Sequence, residues 1–401
     1  MQTSEFDDLD FDTAPVAPPT SRVTRPARTT PSARNGGRQF PGNATMRVIA
    51  ASILADVPTL IWGQPGTAKT ALLTASAEKW GYFTQTIIGS IRDTTDMLGL
   101  PIEQNGEVIY APPAWARRAN DADKSLLIFD EFTTGASIMA AMLRVIQERE
   151  VGEYRLSPSV RVLAIANPPE CAVNGVELAP PMANRFIHLN WTFDSDGWLA
   201  GLSSNFVNAP VIPLDQLTVE ATDTQRAWAT SLVTSYLQRN RKAISPGVPK
   251  SADQSSRAWA SPRSWTNLMN ILVHLDPADT VAIGKAAEGA VGEGEAKAFK
   301  AYVTAVGLFD PEEVLADPTL VNWADSRTLD RLFALTMSVS NLAVSRGDKA
   351  TWEKAVAVLA ECHRQGRHDT PVVALRELLM HRPATASLTK DQQARFSEYI
   401  V

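Results

Sequence analysis

Gly63-Gln64-Pro65-Gly66-Thr67-Ala68-Lys69-Thr70-Ala71 is the stretch on which the reading of this chain turns. It follows an apolar run, residues 57–62, that reads as a buried strand, and it opens residues 70–80, which have helical spacing. Strand, glycine-bearing turn and helix in that order are the context a phosphate-binding loop requires. The glycines let the backbone curl so that its N–H groups face a phosphate, and the helix N-terminus adds partial positive charge. In that reading Lys69 contacts the β- and γ-phosphates of a nucleotide and the Thr70 hydroxyl coordinates Mg²⁺. The strict pattern has Gly directly before the Lys, and Ala68 stands there instead, the smallest possible intrusion. The alternative is a Gly/Pro turn before a helix with a chance Lys-Thr.

Working outward, Leu126-Leu-Ile-Phe-Asp130-Glu131 is an apolar strand ending in two carboxylates. In a parallel sheet that end lies beside the phosphate loop. Asp130 would then hold Mg²⁺, and Glu131 would polarise the water that attacks the γ-phosphate. Alone, such a strand end is often only the start of a solvated loop; its place after Lys69, with a strand between, makes the pairing specific. Residues 162–166 form another apolar strand ending in Asn167, an amide able to orient the lytic water or sense the γ-phosphate, or simply a turn residue before Pro168-Pro169. Asn184-Arg185-Phe186 precedes a further strand. Arg185 there would either reach a neighbouring subunit's nucleotide or cap a helix C-terminus. Ser261-Pro262-Arg263 reads as a helix start, with Arg263 turned either to a phosphate in the domain below or to a solvent salt bridge.

The spacing predicts strands over residues 57–62, 82–88, 125–129, 160–166 and 186–189, with helices over 70–80 and 136–148 between them. Strands alternating with helices give a parallel sheet covered on both faces. After Trp191 the strand signals stop. Trp228, Leu232, Tyr236 and Leu237 have helical spacing, residues 245–256 read as a loop, and residues 262–272 as a helix. Three amphipathic segments, around Leu329, Trp352 and Leu375, suggest a small C-terminal bundle.

Taken together these residues resemble the AAA+ superfamily, and within it the MoxR-like, dynein-related branch. The shared features are the GxPGxAK[ST] loop at Gly63–Thr70, Asp130-Glu131, Asn167-Pro-Pro-Glu170, Arg185-Phe186 and Ser261-Pro-Arg263. Ala before the Lys is usual in that branch. The resemblance spans about residues 41–275. It implies ATP and Mg²⁺ as cofactors, with residues 63–71 as the Walker A loop, Asp130 and Glu131 as Walker B, Asn167 as sensor 1, Arg185 as arginine finger and Arg263 as sensor 2. The run Leu178-Ala-Pro-Pro-Met-Ala departs from the family's usual Leu-Pro-Glu-Ala, which touches the intersubunit details only. The implied fold is a P-loop NTPase αβα sandwich with a five-stranded parallel sheet. It divides as a disordered tail (1–40), an AAA+ nucleotide-binding αβ domain (41–192), a helical lid (193–310) and a C-terminal helical extension (311–401).

The same likeness implies a hexameric ring that remodels a client protein, with a von Willebrand A-type partner. It also implies an inserted hairpin. Residues 99–110 fit, because Asn105-Gly106 is a tight-turn signal, and Ile109 and Tyr110 would face the pore and touch substrate. A structural hairpin packed on its own domain is the alternative, and a second hairpin is expected around residues 152–155. Other functions consistent with the motifs are a DNA-directed NTPase motor and a nucleotide-gated scaffold with little turnover. The hairpin carries two Glu and no Lys or Arg, and net charge is -6, both of which argue against nucleic acid. Glu131 argues against the scaffold.

Composition sets the remaining bounds. The hydrophobic share of 44% is that of a globular protein, and Cys171 and Cys362 are too far apart for a metal-ligand spacing or a disulfide framework. No apolar run has the length to cross a bilayer, and the acidic residues 1–12 are unlike a signal peptide, so the expected location is the cytoplasm. Residues 15–39 carry five Arg and no acid. Phe6, Leu9 and Phe11 make a short acidic-hydrophobic motif in an otherwise solvated leader.

Overall fold

A computed structural model describes residues 39–171, 176–203, 211–306, 310–325, 329–397 and 399. The leader expected to be disordered, with Phe6, Leu9 and Phe11, lies outside the described residues. Nine strands occur in chain order: β1 (Thr59–Trp62), β2 (Phe83–Ile88), β3 (Leu100–Gln104), β4 (Glu107–Ala111), β5 (Ser125–Asp130), β6 (Glu150–Val151), β7 (Tyr154–Arg155), β8 (Val160–Ala166) and β9 (Ile187–Asn190). Five of them form one parallel sheet in the order β2-β5-β8-β1-β9. The two hairpins, β3-β4 and β6-β7, stand apart from it. Among the described residues no strand follows β9.

Strand residues alternate between two cores because successive side chains leave opposite faces. Ile61, Leu163, Ile165 and Leu189 enter one cluster with Val48 and Ile49 of the helix Ala44–Leu54 and Leu73 of the helix Lys69–Lys79. Leu60, Leu127, Phe129 and Ala164 enter the other with Trp115, Met142 and Ile146, from the helices Ala114–Asp121 and Ala136–Glu148. The result is the expected three-layer sandwich. The order of its strands sets the site. Inserting β8 between β1 and β5 puts the end of β8 between the loop after β1 and the carboxylates that end β5.

The first core continues into the helices beyond residue 192. The helix Pro262–Leu272 starts on a reciprocal cap: Ser261 Oγ accepts from Ser264 N at 3.1 Å and Ser264 Oγ from Ser261 N at 2.9 Å. Pro262 suits its first turn. Its buried face, Trp265, Leu268, Ile271 and Leu272, joins the sheet's core, and each such side chain is worth roughly 1.5–3 kcal/mol on full burial. The helix Thr280–Val291 lies directly on β9. A Cβ on Gly289 would stand 2.6 Å from the His188 carbonyl oxygen, so only glycine permits this approach. A buried ion pair fixes the same helix to the first one: Arg47 Nε lies 2.5 Å from Asp279 Oδ2, and Asp279 caps Ala282 N at 3.0 Å. Arg47 also donates to the carbonyls of Pro41 (3.1 Å) and Gly42 (2.7 Å). A third core, with Trp323, Leu335, Trp352, Leu359 and Leu375, holds the helices Leu329–Arg346, Lys349–Arg364 and Val372–Met380. Residues 245–256, expected as a loop, contain one short helix, Ala252–Ser255.

Candidate active site

The loop after β1 is held open by its own geometry. Gly63 is obligatory: a Cβ there would lie 2.8 Å from Trp191 Cβ and 2.9 Å from Lys69 Cδ. Gln64, Pro65 and Gly66 are exposed, Gly66 has φ +76°, and Thr67 Oγ1 donates to the Gln64 carbonyl at 2.8 Å. Ala68, which precedes the helix Lys69–Lys79, has φ 55°, the left-handed region. This explains why the strict pattern wants Gly there, since an L-residue in that region costs roughly 1–2 kcal/mol. Ala71, itself exposed, follows in the first turn of that helix.

Lys69 is only 7% exposed, and its ammonium group lies 2.7 Å from the Gly63 carbonyl, 2.8 Å from the Gln64 carbonyl and 3.0 Å from Asn167 Oδ1. Burial lowers the Lys69 pKa, against the opposing pull of Asp130. Thr70 Oγ1 donates to Asp130 Oδ2 at 2.6 Å, and the other Asp130 oxygen accepts from Glu131 N at 2.8 Å. Glu131 itself has φ 52°. Ala68 and Glu131 are two of the five non-glycine residues with positive φ among the described residues, and backbone strain of this kind concentrates at working sites. Glu131 is pinned there from several sides. Its carbonyl accepts from Thr134 N (3.2 Å) and from the Thr134 hydroxyl, while Phe132 N donates to Ile165 O (2.9 Å).

Arg185 and Arg263 are gathered elsewhere. Ile187 N donates to the Pro58 carbonyl at 2.9 Å, so the segment Asn184-Arg185-Phe186 enters β9 at the end of the sheet away from Gly63. That distance is about a strand length, roughly 13 Å at ~3.3 Å per residue. Asn184 ties the start of the Arg263 helix to the same place, accepting from Ser261 Oγ at 2.7 Å and donating to the Trp259 carbonyl at 2.9 Å. Burial, and then the like charge of Arg263, lower the Arg185 pKa. Thus Lys69, Thr70, Asp130 and Asn167 form one constellation, with Glu131 next in the chain, and Arg185 and Arg263 form a second.

Strand order, the Lys69–Asn167 contact and the Thr70–Asp130 bond are those of a nucleotide-binding P-loop domain, and a family model described as AAA domain (dynein-related subfamily) matches residues 58–186. Residues 58–186 are thus similar to an AAA domain. No curated protein matches the chain. Among solved structures, a candidate ATPase from Cytophaga hutchinsonii is 17% identical, with a TM-score of 0.40 over 69% of this chain and 88% of that one.

Several residues around the loop after β1 carry no motif that marks them in sequence. Gly89 lets the end of β2 pass the carboxylate turn, where a Cβ would meet the Glu131 carbonyl oxygen at 2.9 Å. Trp62, the residue before the loop, donates from Nε1 to His188 Nδ1 at 3.0 Å and carries the Arg257 guanidinium 3.8 Å over its ring. Cys171 Sγ approaches Gln64 Oε1 at 3.1 Å, so the segment after Asn167 touches the loop tip. Burial lowers the Arg257 pKa, opposed by Glu170 and Asp253. Only the proximity of Arg257 to the Ser-Pro-Arg segment could have drawn notice to it.

Proposed function

We propose that the chain is an ATP-hydrolysing AAA+ remodelling machine of the MoxR-like branch, working as a hexameric ring on a partner protein. The observation that carries the reading is the meeting of Thr70 with Asp130 at 2.6 Å beside the Lys69–Asn167 contact at 3.0 Å. Residues 63–71 would cradle the triphosphate, with Lys69 turned from carbonyl oxygens to phosphate oxygens. The Thr70 hydroxyl and the Asp130 carboxylate are hard oxygen donors close enough to share one Mg²⁺, which keeps most of its shell as water and phosphate. When bound, that ion supplies neutralising charge at the phosphates.

Glu131 accepts a proton from the attacking water as the water oxygen bonds the γ-phosphorus and the bond to the bridging oxygen breaks; ADP and phosphate leave. Asn167 orients the water. Arg185, as arginine finger, would serve a neighbouring subunit's nucleotide in the ring, and Arg263, whose helix start is tied to Asn184, would act as sensor 2 on a bound phosphate. Client contact falls to the β3-β4 hairpin. Asn105 (φ 58°) and Gly106 (φ 83°) make its tight turn, and Leu100, Ile102, Val108 and Tyr110 are exposed along it. Its acidic character keeps DNA a poor client. A von Willebrand A-type protein is the partner the resemblance favours, in the cytoplasm. Among the described residues no helix is long and apolar enough to cross a membrane.

The deciding experiment is Glu131→Gln. Turnover should fall by about 10²-fold or more while ATP binding persists, and the variant should retain its client in a pull-down with ATP. Full turnover in Glu131→Gln would refute the assignment of the base.

A further inference from the structure

Asn184 is 6% exposed, yet it is a polar residue in a connecting segment. It makes two long-range bonds, both to the segment that leads into the helix Pro262–Leu272: its amide nitrogen donates to Trp259 O, and its oxygen accepts from Ser261 Oγ. Ser261 caps that helix, and Arg263 is its second residue. Arg185 is the next residue after Asn184. One buried amide therefore joins the two chain segments that carry the two arginines, separated by 77 residues in sequence at the Asn184–Ser261 bond.

The peptide behind Asn184 is fixed as well. His188 Nδ1 accepts from Trp62 Nε1, so Nε2 carries the proton and donates to the Ala183 carbonyl at 2.8 Å. Asn184 is thus anchored through His188 to the residue that enters the phosphate loop, and through Ser261 to the helix of Arg263. The arginines themselves are little restrained. Arg185 Nη1 reaches the Pro181 carbonyl at 3.3 Å, and its buried Nε has no partner.

We infer that Asn184 is a positioning residue that holds Arg185 and Arg263 as one cationic pair for a phosphate group. Two guanidinium groups of like charge repel, and burial of the first adds to the cost of keeping them together. A pair of buried hydrogen bonds in the connecting scaffold opposes that repulsion. The ligand class is a phosphoryl group with spread negative charge, which two guanidinium forks match better than one. The inference rests on the reading of the chain as an ATP hydrolase.

The test uses the full chain and two measurements, steady-state ATP hydrolysis and calorimetric binding of magnesium ADP. Asn184→Ala lowers kcat by about 10-fold or more, while magnesium ADP affinity stays within about 2-fold, because the Lys69 site is untouched. Ser261→Ala behaves alike, and Ser261→Thr, which keeps the hydroxyl, restores kcat. In an Arg185→Ala, Arg263→Ala background, Asn184→Ala has no further effect. Retention of kcat in Asn184→Ala overturns the inference, as does an equal loss in the arginine-free background or a parallel loss of ADP affinity. If the wild type binds magnesium ADP but turns over no ATP, it is the hydrolase reading that fails. The positional claim is then read by phenylglyoxal labelling. Arg185 should react several-fold faster in Asn184→Ala than in the wild type, and equal rates overturn the claim.

Discussion

The proposed chemistry falls to side chains at and beside strand ends, and the roles proposed for them follow from what each atom can donate or accept. Lys69 has three protons and three oxygens within reach; Thr70 and Asp130 bring two oxygens to one point. His188 shows how the surroundings are kept in one state. Burial, against the Ala183 hydrogen bond, pushes its pKa down to about 4. The unfolded chain takes up that proton near pH 6.5, whereas the folded chain refuses it until about pH 4. Stability is therefore complete above pH 6.5 and declines between pH 6.5 and 4, by up to about 3 kcal/mol. Burial lowers His274 in the same sense. Urea unfolding at pH 7 and pH 5 should show a loss of about 2 kcal/mol that is smaller in His188→Gln; an unchanged midpoint would contradict it. The meeting of Lys69 with Asn167 and of Thr70 with Asp130 could be anticipated from sequence, because the phosphate-loop motif and the polar ends of two apolar strands mark those residues. Asn184 and the Trp62–His188–Arg257 group could not be, because generic residue types act there through contacts distant in sequence.

Elements were legible where apolar contrast was strong. All five sheet strands lie within a few residues of their expected positions, and the Asn105-Gly106 hairpin pairs Ile102 with Ile109 as its turn requires. The β3-β4 hairpin does not stand alone. Gly152 of the second turn packs against it, where a Cβ would be 3.1 Å from Tyr110 Cβ. The helix Thr280–Val291 is hard to read from sequence because alanine and glycine dominate its buried stripe, Ala282, Ala286, Gly289 and Ala290 among them. Small residues give weak periodicity but allow close packing. Gly289→Ala should lower stability by about 1 kcal/mol or more, since its methyl meets the β9 backbone. Gly294→Ala, with open space around it, should be neutral or stabilising by up to about 1 kcal/mol. Matching effects of the two substitutions on urea unfolding would show that the helix does not bear on β9.

Across the molecule, the described residues from 39 onward form one compact unit, and its first core runs from the sheet into the helices that follow. The buried Arg47–Asp279 pair braces the first helix against the Thr280–Val291 helix. Any movement of those helices must therefore disturb a packed core. Nothing in composition foretold that continuity, since apolar residues do not name their partners. The proposed ring is tested at this scale too. With ATP present, Glu131→Gln should sediment as a hexamer, and Arg185→Ala should lose turnover in the assembled state; a monomer at all protein and ATP concentrations would refute the ring.

Calorimetric titration of the full chain with ATP, with and without Mg²⁺, bears most directly on the joining of the loop at Lys69 to the carboxylate at Asp130. One nucleotide should bind per chain, more tightly with Mg²⁺, with the magnesium gain lost in Thr70→Ala and all binding lost in Lys69→Ala. Absence of binding by the wild type, or undiminished binding by Lys69→Ala, would contradict the account.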